Sequence, residues 1–225
     1  MRRSELIAVG IVVILFAVGI YMYPQLPDTI ASHWNAQGQV DGYMSKFWGL
    51  FLLPILSVGL VLLFVAIPRI DPLKANIEKF RTFYDRFVVL FVVFFFYFYL
   101  LTILWNMGVQ YNFNQVLAPA FGGLFYYIGV MIEHAKRNWF VGIRTPWTLS
   151  SENVWDKTHA IGAKLFKIVG VVALLGVLFP NYTIFFVLVP VLVVAGYLIV
   201  YSYVAYQREM GLGYRSGEDI NLRQL

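Results

Sequence analysis

Residues 87–107 read FVVLFVVFFFYFYLLTILWNM, a run of 21 residues without a charged side chain. A helix of about 20 apolar residues crosses the ~30 Å hydrocarbon layer of a bilayer, where each backbone group must find its partner within the segment. The run therefore predicts a membrane-spanning helix. Five further apolar runs predict five more spans, at residues 6–23, 47–67, 116–132, 165–179 and 183–206.

The run at 165–179 is the shortest of the six. We expect its helix to begin before Lys164, with the ammonium groups of Lys164 and Lys167 reaching to the membrane interface. The alternative is a buried or re-entrant segment at this position. The predicted fold class is all-α, a polytopic membrane protein with six transmembrane helices.

The composition supports the same class. Hydrophobic residues make up 60% of the 225 residues and charged residues 13%, whereas soluble domains average about 45–50% and about 25%. These figures exclude a disordered chain, a nucleic-acid-binding module and an ordinary cytosolic enzyme, and make the lipid bilayer the expected partner. The chain has no cysteine, which excludes disulfides and thiolate metal or redox chemistry.

The basic residues predict the orientation. With both termini in the cytoplasm, all of the 17 lysines and arginines except Lys46 fall on the cytoplasmic side. Cytoplasmic loops carry the excess of Lys and Arg, so we expect a multi-pass protein of the cell membrane with its N- and C-termini inside. The chain divides into segments 1–67, 68–132, 133–206 and 207–225, the last a polar cytoplasmic tail.

The first outer loop, residues 26–43, has the composition of an ordered structure. Turn formers lie at 35–38 and 41–42, and Pro27-Asp28 is suited to open a short helical turn. His33, Asp28 and Asp41 could meet as a binding or metal site; the alternative is a compact cap whose polar groups bond its own turns. The predicted outer-loop recognition residues are Asp28, His33, Trp34, Asn35, Asp41 and Tyr43.

Residues 71–86 separate the second and third spans. Pro72 follows Asp71 at a position typical of a first helical turn, and apolar residues recur at spacings of four, three and four. This pattern predicts an amphipathic cytoplasmic helix, which lies on the membrane surface or extends the third span.

The segment 136–164 joins spans four and five. Thr145-Pro146 holds the chain extended, and Ser150 or Ser151 is suited to cap the helix that follows. The predicted functional residues of this cytoplasmic motif are Asn138, Arg144, Trp147, Glu152, Trp155, Asp156 and His159.

Glu152, Asp156 and His159 are separated by four and three residues, so they share one helix face. Two carboxylates and a histidine could bind a metal or perform acid–base chemistry. The favoured interpretation is a polar face that pairs with Arg144, Lys157 or a facing loop. We therefore predict no metal and no cofactor, and keep the three residues as weak metal candidates.

The fourth span carries a face of small residues, formed by Ala118, Gly122, Gly123 and Gly129, which predicts close contact with another helix. The spans hold almost no ionisable residue at membrane depth, which disfavours an ion-coupled transporter. Zinc-protease and serine-hydrolase motifs are also missing from the sequence. The chain is predicted not to be an enzyme.

Two long motifs resemble a known family. Residues 26–30 read LPDTI, followed by HWN at 33–35 and DGY at 41–43. Residues 138–150 read NWFVGIRTPWTLS, followed by Glu152, Val154-Trp155, Thr158-His159, Gly162 and Leu165-Phe166. With six spans, this pattern over most of residues 1–206 resembles the SdpI (Sdp toxin immunity protein) family.

The resemblance implies a bacterial multi-pass protein that protects a producing cell from its own secreted, membrane-active killing peptide. It also implies signalling, in which a cytoplasmic transcriptional regulator is held at the membrane. An extracellular peptide toxin and a cytoplasmic regulator are thus the expected partners, with no nucleic acid. Two alternatives stay open: a small-solute or ion transporter or channel, and a membrane protein with a metal-dependent cytoplasmic site.

Overall fold

In a computed structural model, the backbone of residues 2–222 and the side chains of residues 2–211 are described. Arg223 and the end of the predicted tail, 223–225, lie outside the described residues. The elements in chain order are α1 (Arg3–Met22), β1 (Thr29–Trp34), β2 (Val40–Ser45), α2 (Lys46–Ile70), α3 (Lys74–Lys79), α4 (Arg81–Asn106), α5 (Phe113–His134), α6 (Pro146–Ser150), α7 (Glu152–Ala173), α8 (Leu175–Leu178), a 3-10 turn (Pro180–Tyr182) and α9 (Thr183–Leu222).

Six helical segments are long and apolar enough to cross a membrane: α1, α2, α4, α5, α7 with α8, and α9. This confirms the predicted six-span, all-α fold. The prediction that the fifth helix begins before Lys164 is confirmed too, since α7 starts at Glu152. Large apolar side chains such as Leu62 and Val193 are 64% exposed, as expected for a surface that faces hydrocarbon instead of water.

The small face of the fourth span packs as predicted. Helices α5 and α7 approach so closely that a Cβ atom added to Gly122 would lie 3.0 Å from the carbonyl oxygen of Gly170. A Cβ on Gly129 would lie 2.7 Å from the carbonyl oxygen of Ala163. Gly123 has open space around it and takes no part in this contact.

The outer loop forms an antiparallel β-hairpin. The chain enters strand β1 directly after Asp28, so the short helical turn predicted at Pro27-Asp28 is not formed. The reason is that this stretch extends the hairpin: Thr29 lies opposite Ser45 at the end of β2, and the amide of Lys46, the first residue of α2, donates to the carbonyl of Asp28 at 2.8 Å.

Residues 71–86 form two helices instead of one. Helix α3 ends at Lys79, Phe80 has φ −121°, and α4 begins at Arg81. Ile77, Phe80 and Tyr84 are nevertheless buried, as their spacing predicted. The break allows α3 to pack against α2 while α4 packs against α1 and α5.

The connections divide between the two ends of the bundle. We call the end that carries residues 23–46 and 107–115 the hairpin end. We call the opposite end, with residues 2–5, 69–86, 135–159 and 207–211, the basic end.

Candidate functional site

Asn35 builds the tip of the hairpin. Its side-chain Oδ1 accepts from the amides of Gln37 and Gln39, both at 3.0 Å. Gly38 closes the turn with φ +76°, a conformation that favours glycine. A Cβ at Gly38 would also lie 2.4 Å from the side-chain oxygen of Asn112. The tip is therefore shaped by Asn35 and seated on the loop before α5.

Three asparagines from other parts of the chain fasten the hairpin to the bundle. Asn106, at the end of α4, accepts from the amide of Ala31 at 2.8 Å and donates to its carbonyl at 3.0 Å, as a neighbouring strand would. Asn112 donates to Gln37 O and Asn114 to Asn35 O, both at 3.0 Å. The hairpin is thus held rigidly on α4 and α5.

Trp34 belongs to this attachment. Its ring stacks on Phe113 with a centroid distance of 3.8 Å and meets Trp105 edge to face at 6.0 Å. The side chain is 9% exposed, so Trp34 supports the hairpin from below. Of the six predicted recognition residues, Trp34 and Asn35 therefore shape the fold of the loop.

The other four predicted residues present their side chains outward. His33 Nδ1 lies 2.5 Å from Asp41 Oδ1, and these side chains are 70% and 44% exposed. Tyr43 is 67% exposed. The Asp28 carboxylate is 99% exposed and lies 3.1 Å from Lys46 Nζ. The structure thus brings His33 and Asp41 together, while Asp28 pairs with Lys46 at the base of the hairpin.

Replacing Asn106 with leucine is expected to loosen the hairpin. The change leaves the amide and carbonyl of Ala31 without partners, and each unpaired buried group costs about 1–3 kcal/mol. Amide hydrogen exchange of peptides that cover 29–45 should become faster, while exchange at the basic end stays unchanged.

The matched control is Asn76→Leu. Asn76 bonds a backbone carbonyl at the basic end, that of Arg137, at 2.9 Å. This variant should leave hairpin exchange as it is in the wild type. Equal exchange in Asn106→Leu and Asn76→Leu would contradict the anchoring role of Asn106.

At the basic end, Asn138 organises the loop that precedes α6. It is fully buried. Its Oδ1 accepts from the amides of Phe140 at 3.0 Å and Val141 at 2.6 Å. Its Nδ2 donates to the carbonyls of Lys136 at 2.8 Å and Val141 at 2.9 Å. One side chain thus satisfies four backbone groups of an irregular segment.

The imidazole of His159 packs beneath this loop and bonds to it. Its Nε2 accepts from the amide of Ile143 at 3.0 Å, and its Nδ1 donates to the carbonyl of Trp155 at 2.8 Å. The ring stacks on Trp155 at 4.0 Å. Gly142, with φ +115°, passes directly over it, and a Cβ there would lie 2.4 Å from Nε2. These bonds define a neutral imidazole protonated on Nδ1.

Trp155 extends the same stack to α5. It is fully buried, and its indole N–H donates to the carbonyl of Ala135 at 2.8 Å. Trp155 and His159 therefore hold both ends of the loop: Trp155 binds its start at the end of α5, and His159 binds Ile143.

The rest of the predicted cytoplasmic motif, residues 145–151, contacts α9. Thr145 caps α6 and lies 3.0 Å from Ser202, hydroxyl to hydroxyl. Ser151, the cap of α7, donates to Glu209 at 2.7 Å. Trp147 packs edge to face on Tyr203. The motif is a compact structure held between α5, α7 and α9.

Glu152 and Asp156 do not converge with His159. Their side chains are 71% and 58% exposed, while His159 is 2% exposed. Glu152 lies 3.6 Å from Arg137, and Asp156 lies 3.4 Å from Lys136. The carboxylates therefore pair with a facing loop, as the favoured interpretation predicts, with Lys136 and Arg137 as the partners.

Arg144 is not the partner of these acids. It donates to the carbonyl of Trp139 at 2.8 Å, and both residues are exposed at the basic end. Among residues 2–211, whose side chains the structure describes, no group of three His, Cys, Asp or Glu is placed to hold a metal ion.

An ion-pair network that the sequence interpretation missed lies at the basic end. Glu5, 3% exposed, accepts from Arg69 at 3.0 Å and lies 3.5 Å from Arg81. Arg81, 8% exposed, also pairs with Glu78 at 2.9 Å and Asp85 at 2.7 Å. The network joins α1, α2 and α4.

Asp71 connects the start of α3 to the motif. Its carboxylate accepts from the amide of Leu73 at 2.6 Å and from that of Trp139 at 2.9 Å. Asp71 is 2% exposed. The two halves of the basic end therefore share one hydrogen-bonded framework.

Comparison with known proteins finds a separate family match for each of two segments of the chain. Residues 10–58 match a domain of unknown function, DUF1648, and residues 134–202 match the SdpI/YfhL protein family. The chain is also similar to the immunity protein SdpI of Bacillus subtilis (strain 168), at 24% identity over 210 residues, which cover 93% of this chain and 99% of that protein.

The match over residues 134–202 and the similarity to SdpI confirm the resemblance to the SdpI family. The family match begins beside Ala135, the acceptor of Trp155, and ends at Ser202, the partner of Thr145. It therefore contains the whole loop together with the helices that hold it. No solved structure matches the chain.

Some of the residues that hold the hairpin and the SdpI/YfhL motif against the rest of the bundle lie outside both matched segments. Asn106, Asn112 and Asp71 are examples. A single asparagine or aspartate in a loop gives no local signal of a distant partner. The ion-pair network does have a signal in the sequence, because Glu5 is an acidic residue beside an apolar run.

Proposed function

We propose that this membrane protein gives its cell immunity to a secreted, membrane-active peptide toxin. The observation that carries the proposal is the similarity to the immunity protein SdpI, which extends over nearly the full length of both chains and includes both the hairpin and the basic-end motif. A shared domain at one end alone would have supported only a shared fold.

The proposed orientation places the hairpin outside and the basic end in the cytoplasm. The distribution of lysine and arginine supports it, because cytoplasmic loops are enriched in both. The single lysine at the hairpin end, Lys46, has a structural use: it lies 3.1 Å from Asp28 and donates to the carbonyl of Leu26 at 3.2 Å.

In this orientation the hairpin offers the toxin-facing surface. His33, Asp41 and Tyr43 form an exposed group with an ionisable pair and an aromatic ring. An amphipathic peptide that approaches the membrane could bond to the pair and pack on Tyr43. The asparagine anchors favour such binding because a preordered surface loses little conformational entropy.

The signalling proposal rests on the exposed part of the motif. Trp139 is 52% exposed, and the bond from Arg144 to its carbonyl fixes the arginine beside it. Tryptophan and arginine are the residues that most often dominate protein interfaces. We therefore assign the expected cytoplasmic regulator to this surface.

The test is protection of a sensitive cell. The chain is expressed in a Bacillus subtilis strain that lacks its own immunity protein SdpI, and the strain is challenged with the Sdp peptide and with any small secreted peptide encoded beside this gene. Survival should rise above that of the empty-vector strain for at least one peptide. No protection from any of them, at confirmed membrane expression, would refute the immunity function.

The role of the hairpin is tested in the same assay. The double variant His33→Ala, Tyr43→Ala removes exposed groups and should reduce the tolerated peptide concentration about tenfold or more, as expected for the loss of two contacts of a binding surface. Lys74→Ala, an exposed change at the basic end, is the matched control and should protect as the wild type does. Equal protection by both would place recognition elsewhere.

A further inference from the structure

A groove of about 810 Å³ runs between α1 and α4, starting at the basic end. Its upper part is lined by three arginines and one acid, Arg2, Arg3, Arg86 and Asp85, and its lower part by Ile7, Leu90 and Val93. The groove is therefore polar and positively charged at the end of the bundle and apolar toward the middle.

Two of the three arginines are available to an anion. Arg2 is already held by Asp85 at 2.9 Å and by Glu78 at 3.4 Å. Arg3 and Arg86 are exposed, and in the part of the chain that the structure describes neither makes an ion pair. Both point to a ligand with negative charge at the mouth of the groove.

The lower part of the groove specifies the rest of the ligand. Arg86, Leu90 and Val93 are spaced by four and three residues, so they lie on one face of α4. Seven residues of helix extend about 10 Å, which carries the groove from the charged mouth into the apolar layer. Ile7 of α1 faces the same space.

We propose that this groove binds one anionic phospholipid, with the headgroup phosphate at Arg3 and Arg86 and an acyl chain along Ile7, Leu90 and Val93. A lipid fits the groove because its anionic headgroup complements the arginines at the mouth and its acyl chain fills the apolar part. A free anion would not need the apolar part. Lipid binding requires only that the chain spans a membrane and is independent of the immunity function.

The test is native mass spectrometry of the full chain in mild detergent, titrated with phosphatidylglycerol and with phosphatidylcholine of the same acyl chains. One phosphatidylglycerol should bind in preference to phosphatidylcholine. Each arginine near an anionic headgroup contributes about fivefold in affinity, so Arg3→Gln, Arg86→Gln should lose about 20-fold or more. Soluble glycerol phosphate should not displace the lipid.

Two variants separate this site from general effects. Lys74→Gln, Lys164→Gln removes the same charge from exposed positions outside the groove and should leave binding unchanged. Val93→Trp fills the apolar part and should weaken binding while all arginines remain, because Val93 is 43% exposed and the larger ring can be accommodated without unfolding.

Four results would overturn the proposal. They are equal loss in the two charge variants, unchanged binding in Arg3→Gln, Arg86→Gln, displacement by glycerol phosphate with Val93→Trp still binding, and a dimer of the chain that excludes lipid. Equal loss in the two charge variants would mean that lipid binding depends only on surface charge. Displacement by glycerol phosphate would mean a simple anion site, and a dimer that excludes lipid would mean that a second copy of the chain occupies the groove.

Discussion

Replacing Arg81 with methionine is expected to destabilise the protein by about 3–5 kcal/mol, the range for removing one partner from a buried ion pair. Arg81 is 8% exposed and contacts three carboxylates, those of Glu5, Glu78 and Asp85. Glu5 would keep only Arg69 and the amide of Arg2. The free energy of unfolding in detergent, measured by denaturant titration, gives the loss.

The matched control for this variant is Lys79→Met. Lys79 is exposed, and its side chain bonds only Asn76 among the described residues. The same substitution there should change the free energy of unfolding by no more than about 0.5 kcal/mol. Similar values for Arg81→Met and Lys79→Met would show that the ion-pair network does not stabilise the bundle.

Coupling between Arg81 and Glu5 follows from the same contacts. Glu5→Gln in the Arg81→Met background removes the carboxylate that lost its partner, so the double variant should recover part of the stability of Arg81→Met. An additive loss in the double variant would mean that Arg69 alone already satisfies Glu5.

The spans of this protein could be predicted because their signal is local. An apolar run of sufficient length is a helix in a membrane whatever its neighbours are. The predicted start of the fifth helix before Lys164 and the small face at Gly122 and Gly129 also depend on residues within one segment, and both are found in the structure.

The anchors could not be predicted because their partners are distant in the sequence. Asn106 bonds Ala31 across 75 residues, and Arg81 lies opposite Glu5 across a similar distance. The spacing of residues along a helix shows which of them share a face. It does not show which other element of the fold packs on that face.

The face of α7 shows the same limit. Glu152, Asp156 and His159 do share it, yet only His159 is buried. The loop at Gly142 covers His159 and leaves the side chains of Glu152 and Asp156 to solvent. The boundary between core and surface therefore crosses one helix face, and spacing alone does not locate that boundary.

Replacing Asn138 with leucine is expected to disorder the SdpI/YfhL motif and to reduce the free energy of unfolding by about 3–5 kcal/mol. Leucine has a similar volume, so the change removes hydrogen bonds without creating a large cavity. It leaves the amides of Phe140 and Val141 and the carbonyls of Lys136 and Val141 without partners. Each such group costs about 1–3 kcal/mol when buried, and partial access of water to the loop reduces the sum.

The control for Asn138→Leu is Asn76→Leu, which removes the bond to the carbonyl of Arg137 and an exposed bond from Lys79 and should cost about 1 kcal/mol. Hydrogen exchange separates the two further. Asn138→Leu should expose the amides of residues 138–145, including that of Ile143, which donates to His159. Exchange in the hairpin, at the opposite end of the bundle, should stay unchanged. If exchange at 138–145 is unaltered, the loop is held by His159 and Trp155 alone and Asn138 merely fills space within it.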